Sequence, residues 1–347
     1  METFTSTWQS PSNIALIKYW GKTGNQIPSN PSLSMTLNKS YSETTLNAIP
    51  TINNEKPSVQ FTFQGKQNEE FARRINIFLR HIDKYLKFIN NHNLIIESKN
   101  TFPHSSGIAS SAAFMSSLSL CLCTIENKIH KSVGNVDEFF RVASFISRLG
   151  SGSATRSIYG GYVSWGVSGN VKHSSNEFAT PLNDIIHDVF KDYCDSILII
   201  SSKKKKISSS DGHRLMNSNP YSNTRYPQAS ENFTNLLELL KAGDEEEFGK
   251  IVEHEAMSLH ALMMLSSPWV LLFEQNTIAI LNKIRDFRTS TGIKLYFTID
   301  AGPNVHLIYN GKIKDKVLDF IDSELKGYCE SQLVINDFIG NGPKQIN

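Results

Sequence analysis

Two kinds of apolar patterning interleave along the chain. Some runs alternate with period two and others recur at helical spacing, with no strict strand–helix–strand rhythm. Period two puts side chains on alternate faces of a strand, whereas helical spacing gathers them on one face. Ser32-Leu33-Ser34-Met35-Thr36-Leu37 and Val59-Gln60-Phe61-Thr62-Phe63 therefore predict half-buried strands, with a turn at Gly65. Phe71, Ile75, Phe78, Leu79, Ile82, Leu86 and Ile89 predict one helix over residues 69–89. Residues 94–98 predict a short strand, which leads through a turn over 100–107 into a Ser/Ala-rich helix from Ile108. Further helices are predicted over 136–149, 230–240 and 245–258. Strands are predicted over 161–165 and 197–200, and a polar stretch over 203–225. Residues 295–298 and 306–309 predict paired strands around the turn Asp300-Ala301-Gly302-Pro303. Mixed in this way, the elements predict an α+β fold without repeat, heptad or long linker.

A chain of 347 residues suits two packed lobes, and its 20 Phe and 11 Tyr exclude a mainly disordered polymer. With 35 basic and 33 acidic residues the net charge is +2, so bulk charge does not draw the protein to nucleic acid or membrane. Any anion site must be local. The four cysteines form no CxxC pair, which disfavours a structural zinc or a disulfide scaffold. No basic segment with a following apolar stretch opens the chain, and the apolar run 112–125 is broken by Ser116, Ser117 and Ser119. These features read as a soluble cytoplasmic protein with neither nucleic acid nor membrane as partner.

Four segments carry possible chemistry. In Phe102-Pro103-His104-Ser105-Ser106-Gly107-Ile108-Ala109-Ser110-Ser111-Ala112, a Gly/Ser turn opens a helix. Free N–H groups at a helix start favour anions, and the hydroxyls of Ser110 and Ser111 suit Mg²⁺ or a phosphate oxygen. Small residues that let helices pack closely give the same text, so both readings stand at this point. The ending of a Walker loop is missing. In Gly150-Ser151-Gly152-Ser153-Ala154-Thr155-Arg156-Ser157, hydroxyls crowd one arginine, whose planar fork matches a carboxylate or phosphate. A turn with a surface arginine is the plainer alternative. In Ser10-Pro11-Ser12-Asn13-Ile14-Ala15-Leu16-Ile17-Lys18-Tyr19-Trp20-Gly21-Lys22, an apolar run drives Lys18 toward burial, where it needs a carboxylate or a bound anion. The alternative is an edge-strand lysine reaching to water. Asp300 ends an apolar strand before a Gly-Pro turn, a common place for a catalytic carboxylate and a commoner one for a turn aspartate. The run Lys203–Lys206 reads as a solvated loop, and His254 and His260 as residues on helix surfaces.

These four segments together, with Asn30-Pro31-Ser32-Leu33-Ser34-Met35-Thr36-Leu37, Tyr159-Gly160-Gly161 and Ser208-Ser209-Ser210-x-Gly212, resemble the diphosphomevalonate decarboxylases of the GHMP kinase superfamily. The motifs span nearly the whole chain. The phosphate-loop segment departs from the usual Thr-Ala-Ala-Gly-Leu-Ala-Ser-Ser, and Phe114 stands where glycine is common.

The resemblance implies a two-lobed GHMP-kinase-like fold, lobes 1–190 and 191–347, with the active site in the cleft between them. It implies ATP-dependent decarboxylation of (R)-5-diphosphomevalonate to isopentenyl diphosphate, with ATP and Mg²⁺ as cofactors and a homodimer as the assembly. Asp300, Lys18 and Arg156 take the catalytic positions, Arg156 on the substrate carboxylate. Asn13, Tyr19, Lys22, Ser151, Gly152, Ser153 and Ser208 fall at substrate-binding positions. Ser105, Ser106, Gly107, Ala109, Ser110 and Ser111 occupy the ATP phosphate loop, with Ser110 and Ser111 as Mg²⁺ candidates. Relatives that decarboxylate the 5-monophosphate, or phosphorylate without decarboxylating, share much of this pattern.

Overall fold

The computed structural model describes residues 2–52, 55–103, 108–203 and 207–347. Its first sheet takes β1 (Phe4–Ile17), β2 (Ser32–Pro50), β3 (Val59–Phe63), β4 (Lys66–Gln67), β5 (His92–Asn100), β6 (Tyr162–Trp165) and β7 (Thr180–Pro181). A second, four-stranded sheet takes β8 (Tyr193–Leu198), β9 (Tyr296–Thr298), β10 (Val305–Asn310) and β11 (Val334–Phe338), in the order β11-β8-β10-β9. The chain then returns to the first sheet as β12 (Lys344–Gln345), beside β1. The helices are α1 (Glu69–Ile82), α2 (Ser110–His130), α3 (Val136–Gly150), α4 (Ser209–Leu215), α5 (Ser222–Ala242), α6 (Glu245–Met264), α7 (Gln275–Thr291) and α8 (Lys314–Phe320). The expected α+β class is borne out.

The long antiparallel ladder of β1 on β2 is the spine of the first sheet. Its register breaks at Pro11/Asn13 and again at Ala15/Ile17, just before Lys18. One face packs on α1, α2 and α3 through Trp8, Leu46, Phe61, Phe78, Leu79 and Leu118. Ile14, Leu33 and Met35 form a second core with Ile197 and Ile308 of the other sheet and Phe233 and Phe248 of α5 and α6. The sheets are also stapled by Asp337 of β11, whose carboxylate accepts the backbone N–H groups of Asn38, Lys39 and Ser40 at 3.0, 2.8 and 2.7 Å.

Several expectations change. Residues 32–37 are buried on both faces: Arg156 covers Ser32, and the Thr36 hydroxyl bonds the Gly161 carbonyl at 3.2 Å. The helix predicted to residue 89 stops at Ile82, and a 3₁₀ turn over Lys87–Asn91 follows. A continuing helix would point Phe88 away from the face shared by Leu86 and Ile89, whereas the turn buries all three. The polar stretch 203–225 contains α4, whose Gly212 packs against Trp20, and the start of α5. Both α5 and α6 run beyond their predicted bounds, and β8 begins four residues before the strand expected at 197. Strands β9 and β10 pair as expected, with Thr298 opposite His306. Among the described residues no helix is long and apolar enough to cross a membrane.

Candidate active site

Lys18 directly follows β1 and is 1% exposed. Its Nζ donates to Asp300 Oδ1 and to the Ala15 carbonyl, both at 2.8 Å. The carboxylate that burial demanded is thus supplied by the turn after β9. The Asp300 side chain is 25% exposed, so one partner is sealed and the other faces outward. Thr298, two residues before Asp300, donates its hydroxyl to the same Ala15 carbonyl at 3.4 Å and ties β9 to β1. The Gly302 N–H bonds the Asp300 carbonyl at 2.7 Å and closes the turn.

Arg156 lies in the 3₁₀ segment Gly152–Ile158 after α3 and is 1% exposed. Its guanidinium donates to Ser32 Oγ at 2.5 Å and sits 5.8 Å from the Trp165 ring. Among the described residues its Nε has no hydrogen-bond partner. Burial lowers its pKa to about 10, with Asp300 and Tyr19 opposing the shift, so the group stays charged at neutral pH. A buried cation with an unused donor beside an aspartate suits an incoming carboxylate better than water.

Tyr19 packs against Trp165 and His213, with ring centroids 4.8 and 4.3 Å apart. Burial pushes its phenol pKa up, and Arg156 and Arg148 pull it back. Its hydroxyl reaches the Gln26 carbonyl at 3.4 Å, and Lys22 Nζ donates to the Gln26 side chain at 2.7 Å. Burial, then Arg214, holds the Lys22 ammonium below its ordinary pKa. The Gly21 N–H donates to His213 Nδ1 at 2.9 Å, and burial followed by Lys22 lowers that imidazole to about 3. A Cβ on Gly152 would stand 2.7 Å from the Tyr19 hydroxyl, so the glycine makes room for the ring. Ser151 and Ser153 are half-buried beside it.

Asn13 bonds inward, to the Ser153 carbonyl at 3.2 Å and Ser157 Oγ at 2.7 Å, and so holds the Arg156 segment on β1. Ser208 caps α4: it accepts from the Asp211 N–H at 3.1 Å and donates to the Asp211 carboxylate at 2.6 Å. Ala109 precedes α2 in a left-handed conformation with φ of 30°, and Ser110 and Ser111 form the first turn. Ser12 donates to the Ile108 carbonyl at 2.9 Å and anchors that helix start on β1. Farther along, Ala112, Ala113, Ser116 and Ser117 are buried, so α2 also uses small residues for close packing. Ser105, Ser106 and Gly107 lie outside the described residues, as do residues 204–206 of the lysine run.

Two family models divide the chain between them: the diphosphomevalonate decarboxylase-like N-terminal domain matches residues 10–177, and the mevalonate 5-diphosphate decarboxylase C-terminal domain matches 196–339. The chain belongs to the diphosphomevalonate decarboxylase family. It is similar to the diphosphomevalonate decarboxylase of Debaryomyces hansenii, at 27% identity over 92% of this chain and 83% of that one. The crystal structure of mevalonate diphosphate decarboxylase from Staphylococcus aureus superposes with a TM-score of 0.85 at 25% identity, over 100% of this chain and 99% of the other. A further structure of this family, MDDEF in complex with MVAPP, AMPPCP and magnesium, gives a TM-score of 0.83 at 25% identity, with both chains covered in full.

Sequence reasoning missed part of this family member's site. His260, expected on a helix surface, is 1% exposed; its Nε2 lies 3.1 Å from the Asp300 carbonyl and its ring stacks on Phe273. His254 is exposed as expected. Glu255 of α6 is buried, accepts the Lys18 backbone N–H at 2.9 Å, and pairs with Arg225 of α5. A signal was present: Glu255 falls on the apolar stripe formed by Val252, Ala256 and Leu259. His213, on the helix that Ser208 caps, carried no such signal.

Proposed function

We propose that this chain carries out the ATP-dependent decarboxylation of (R)-5-diphosphomevalonate to isopentenyl diphosphate, with release of ADP, phosphate and CO₂. The observation that carries the reading is the pair of buried Lys18 with outward-facing Asp300, beside the buried, incompletely bonded Arg156. Bound ATP with Mg²⁺ supplies the phosphoryl group that makes the tertiary 3-hydroxyl a leaving group. Asp300 would accept a hydrogen bond from that hydroxyl and take its proton, and Lys18 would hold the aspartate in place. Arg156 would hold the substrate carboxylate across C3 by its fork. Positive character develops at C3 as phosphate leaves. The carboxylate then expels CO₂, and its electrons form the alkene. Fixed charges around these developing charges stabilise the transition state without reorganising.

Tyr19, Lys22, Ser151, Ser153 and Ser208 would serve the diphosphate end, with Asn13 and Gly152 shaping the floor. The residues at the start of α2 fit nucleotide phosphates: a 21-residue helix begins there without a side-chain cap, with Ser110 and Ser111 in its first turn. Among the described residues no group of three or more His, Cys, Asp or Glu could cage a metal. That suits a Mg²⁺ held chiefly by phosphates with serine hydroxyls at hand. The lobes 1–190 and 191–347 and the cleft between them belong to the same proposal, supported by site residues that come from beside both sheets. So do the cytoplasm and a homodimer; four buried cysteines outside disulfides suit a reducing compartment. The test is product stoichiometry: ADP and CO₂ should appear in equal amounts from 5-diphosphomevalonate. A phosphorylated product without CO₂ would make the protein a 3-kinase instead.

A further inference from the structure

We propose that helix α6 is a positioning element for the reaction: Glu255 and His260 fix the Lys18–Asp300 pair through its two backbones. The kinetic part of this inference rests on the functional reading above; the geometric part does not. Glu255 is fully buried and every oxygen is used. Oε2 accepts the Lys18 N–H at 2.9 Å and an Arg225 N–H at 2.6 Å; Oε1 accepts Arg225 at 2.8 Å and Asn232 at 2.7 Å. A carboxylate gripped by a bidentate arginine cannot swing away without stranding a buried charge. Lys18 therefore leaves β1 from a fixed point, one residue past the register break at Ala15/Ile17.

His260 lies about one and a half turns farther along the same helix. Its ring is clamped on Phe273, with centroids 4.0 Å apart and planes 8° from parallel. Burial, with Lys18 nearby, lowers its pKa to about 4, so the ring is neutral at neutral pH and has one N–H. Nε2 faces the Asp300 carbonyl, so the proton is assigned there, and Nδ1 is left buried without a partner among the described residues. Neither side chain contacts the Lys18 ammonium or the Asp300 carboxylate in these bonds. Both act on where those groups stand.

Three variants test this. His260→Phe keeps the stack and removes the donor. His260→Gln restores a donor at the Nε2 position. Glu255→Gln keeps the shape and removes the charge that grips Arg225. In crystal structures, the Lys18 Nζ–Asp300 Oδ1 separation, 2.8 Å here, should open by about 1 Å or more in H260F and E255Q and close again in H260Q. In kinetics, H260F should lose about tenfold to a hundredfold in kcat while both KM values change less than about threefold, and H260Q should recover most of it. If H260F does not fold, His260→Asn, whose amide reaches only the Nδ1 position, replaces it in the comparison with H260Q. An unchanged separation overturns the inference, as does a fall in Tm with kcat intact or a loss confined to KM. Parent protein that releases no CO₂ from 5-diphosphomevalonate would overturn the functional reading, and the crystallographic comparison would still decide the role of α6.

Discussion

A lysine 1% exposed needs an anion beside it, and Asp300 is that anion here. Asp300→Asn keeps size and polarity but removes the proton acceptor. It should lower turnover by about 10²–10⁴ or more, while calorimetric binding of ATP and substrate stays close to parent. Near-normal turnover would remove Asp300 from its role. Arg156→Lys keeps a charge but has one point donor in place of a planar fork, so kcat/KM should fall by about tenfold or more. Parent-like turnover and affinity would show that Arg156 is not the carboxylate clamp. His213 and His260, two of the buried imidazoles, set an acid limit on the fold. His213 is lowered to about 3 and His260 to about 4, against an ordinary value of 6.5. The unfolded chain thus binds more protons than the native one below pH 6.5. Their contribution is complete above that pH and is lost on acidification toward pH 4, at up to about 1.4 kcal/mol per histidine per pH unit. Thermal midpoints measured between pH 7 and 4.5 should fall, and less steeply in H260F. Equal slopes would contradict the assignment.

At the level of elements, the end of β1 is shaped by sterics as much as by charge. Gly21 has φ of +104°, and a Cβ there would stand 2.3 Å from the Tyr226 hydroxyl of α5. Gly21→Ala should therefore destabilise by about 1–3 kcal/mol, read by denaturant unfolding; an unchanged midpoint would show that the turn is not strained. The same strand end was legible in the sequence, because three apolar residues before Lys18 forced the question of a partner. Asp300 was legible as a carboxylate ending a strand, and Arg156 as the cation in a Gly/Ser cluster. Glu255 was legible only as a carboxylate on the apolar stripe of α6, and its partner Arg225 was not, because charged residues on helices are normally solvated and the pairing is visible only when α5 meets α6. Helix α4 was hidden by its polar composition. The start of α5 was hidden by Pro227, which lies inside the helix. The end of α1 was misplaced because Leu86 and Ile89 keep helical spacing across a turn that the spacing cannot reveal.

Over the whole molecule, net charge near zero leaves anion recognition to local sites: Lys18 pairs with Asp300, Arg156 and Arg148 act on Tyr19, and Arg214 acts on Lys22. The Asp337 staple and the shared core of Ile14, Leu33, Ile197 and Ile308 hold together the sheets whose strands β1 and β9 bring Lys18 to Asp300. Tyr19 and Lys22 share Gln26 as their present partner, so under the proposed function a phosphate bound there would replace bonds already made. Under the proposed assignment, the second phosphate would supply acceptors to Tyr19, Lys22, Ser151 and Ser153 that a monophosphate lacks. Each buried donor left unsatisfied costs about 1–3 kcal/mol, and Gln26 offsets part of that. The most direct measurement is kcat/KM for 5-diphosphomevalonate and for 5-phosphomevalonate at saturating Mg-ATP, followed by CO₂ release. The account predicts a diphosphate preference of about tenfold or more. Equal values or a monophosphate preference would contradict it and assign the chain to phosphomevalonate decarboxylation.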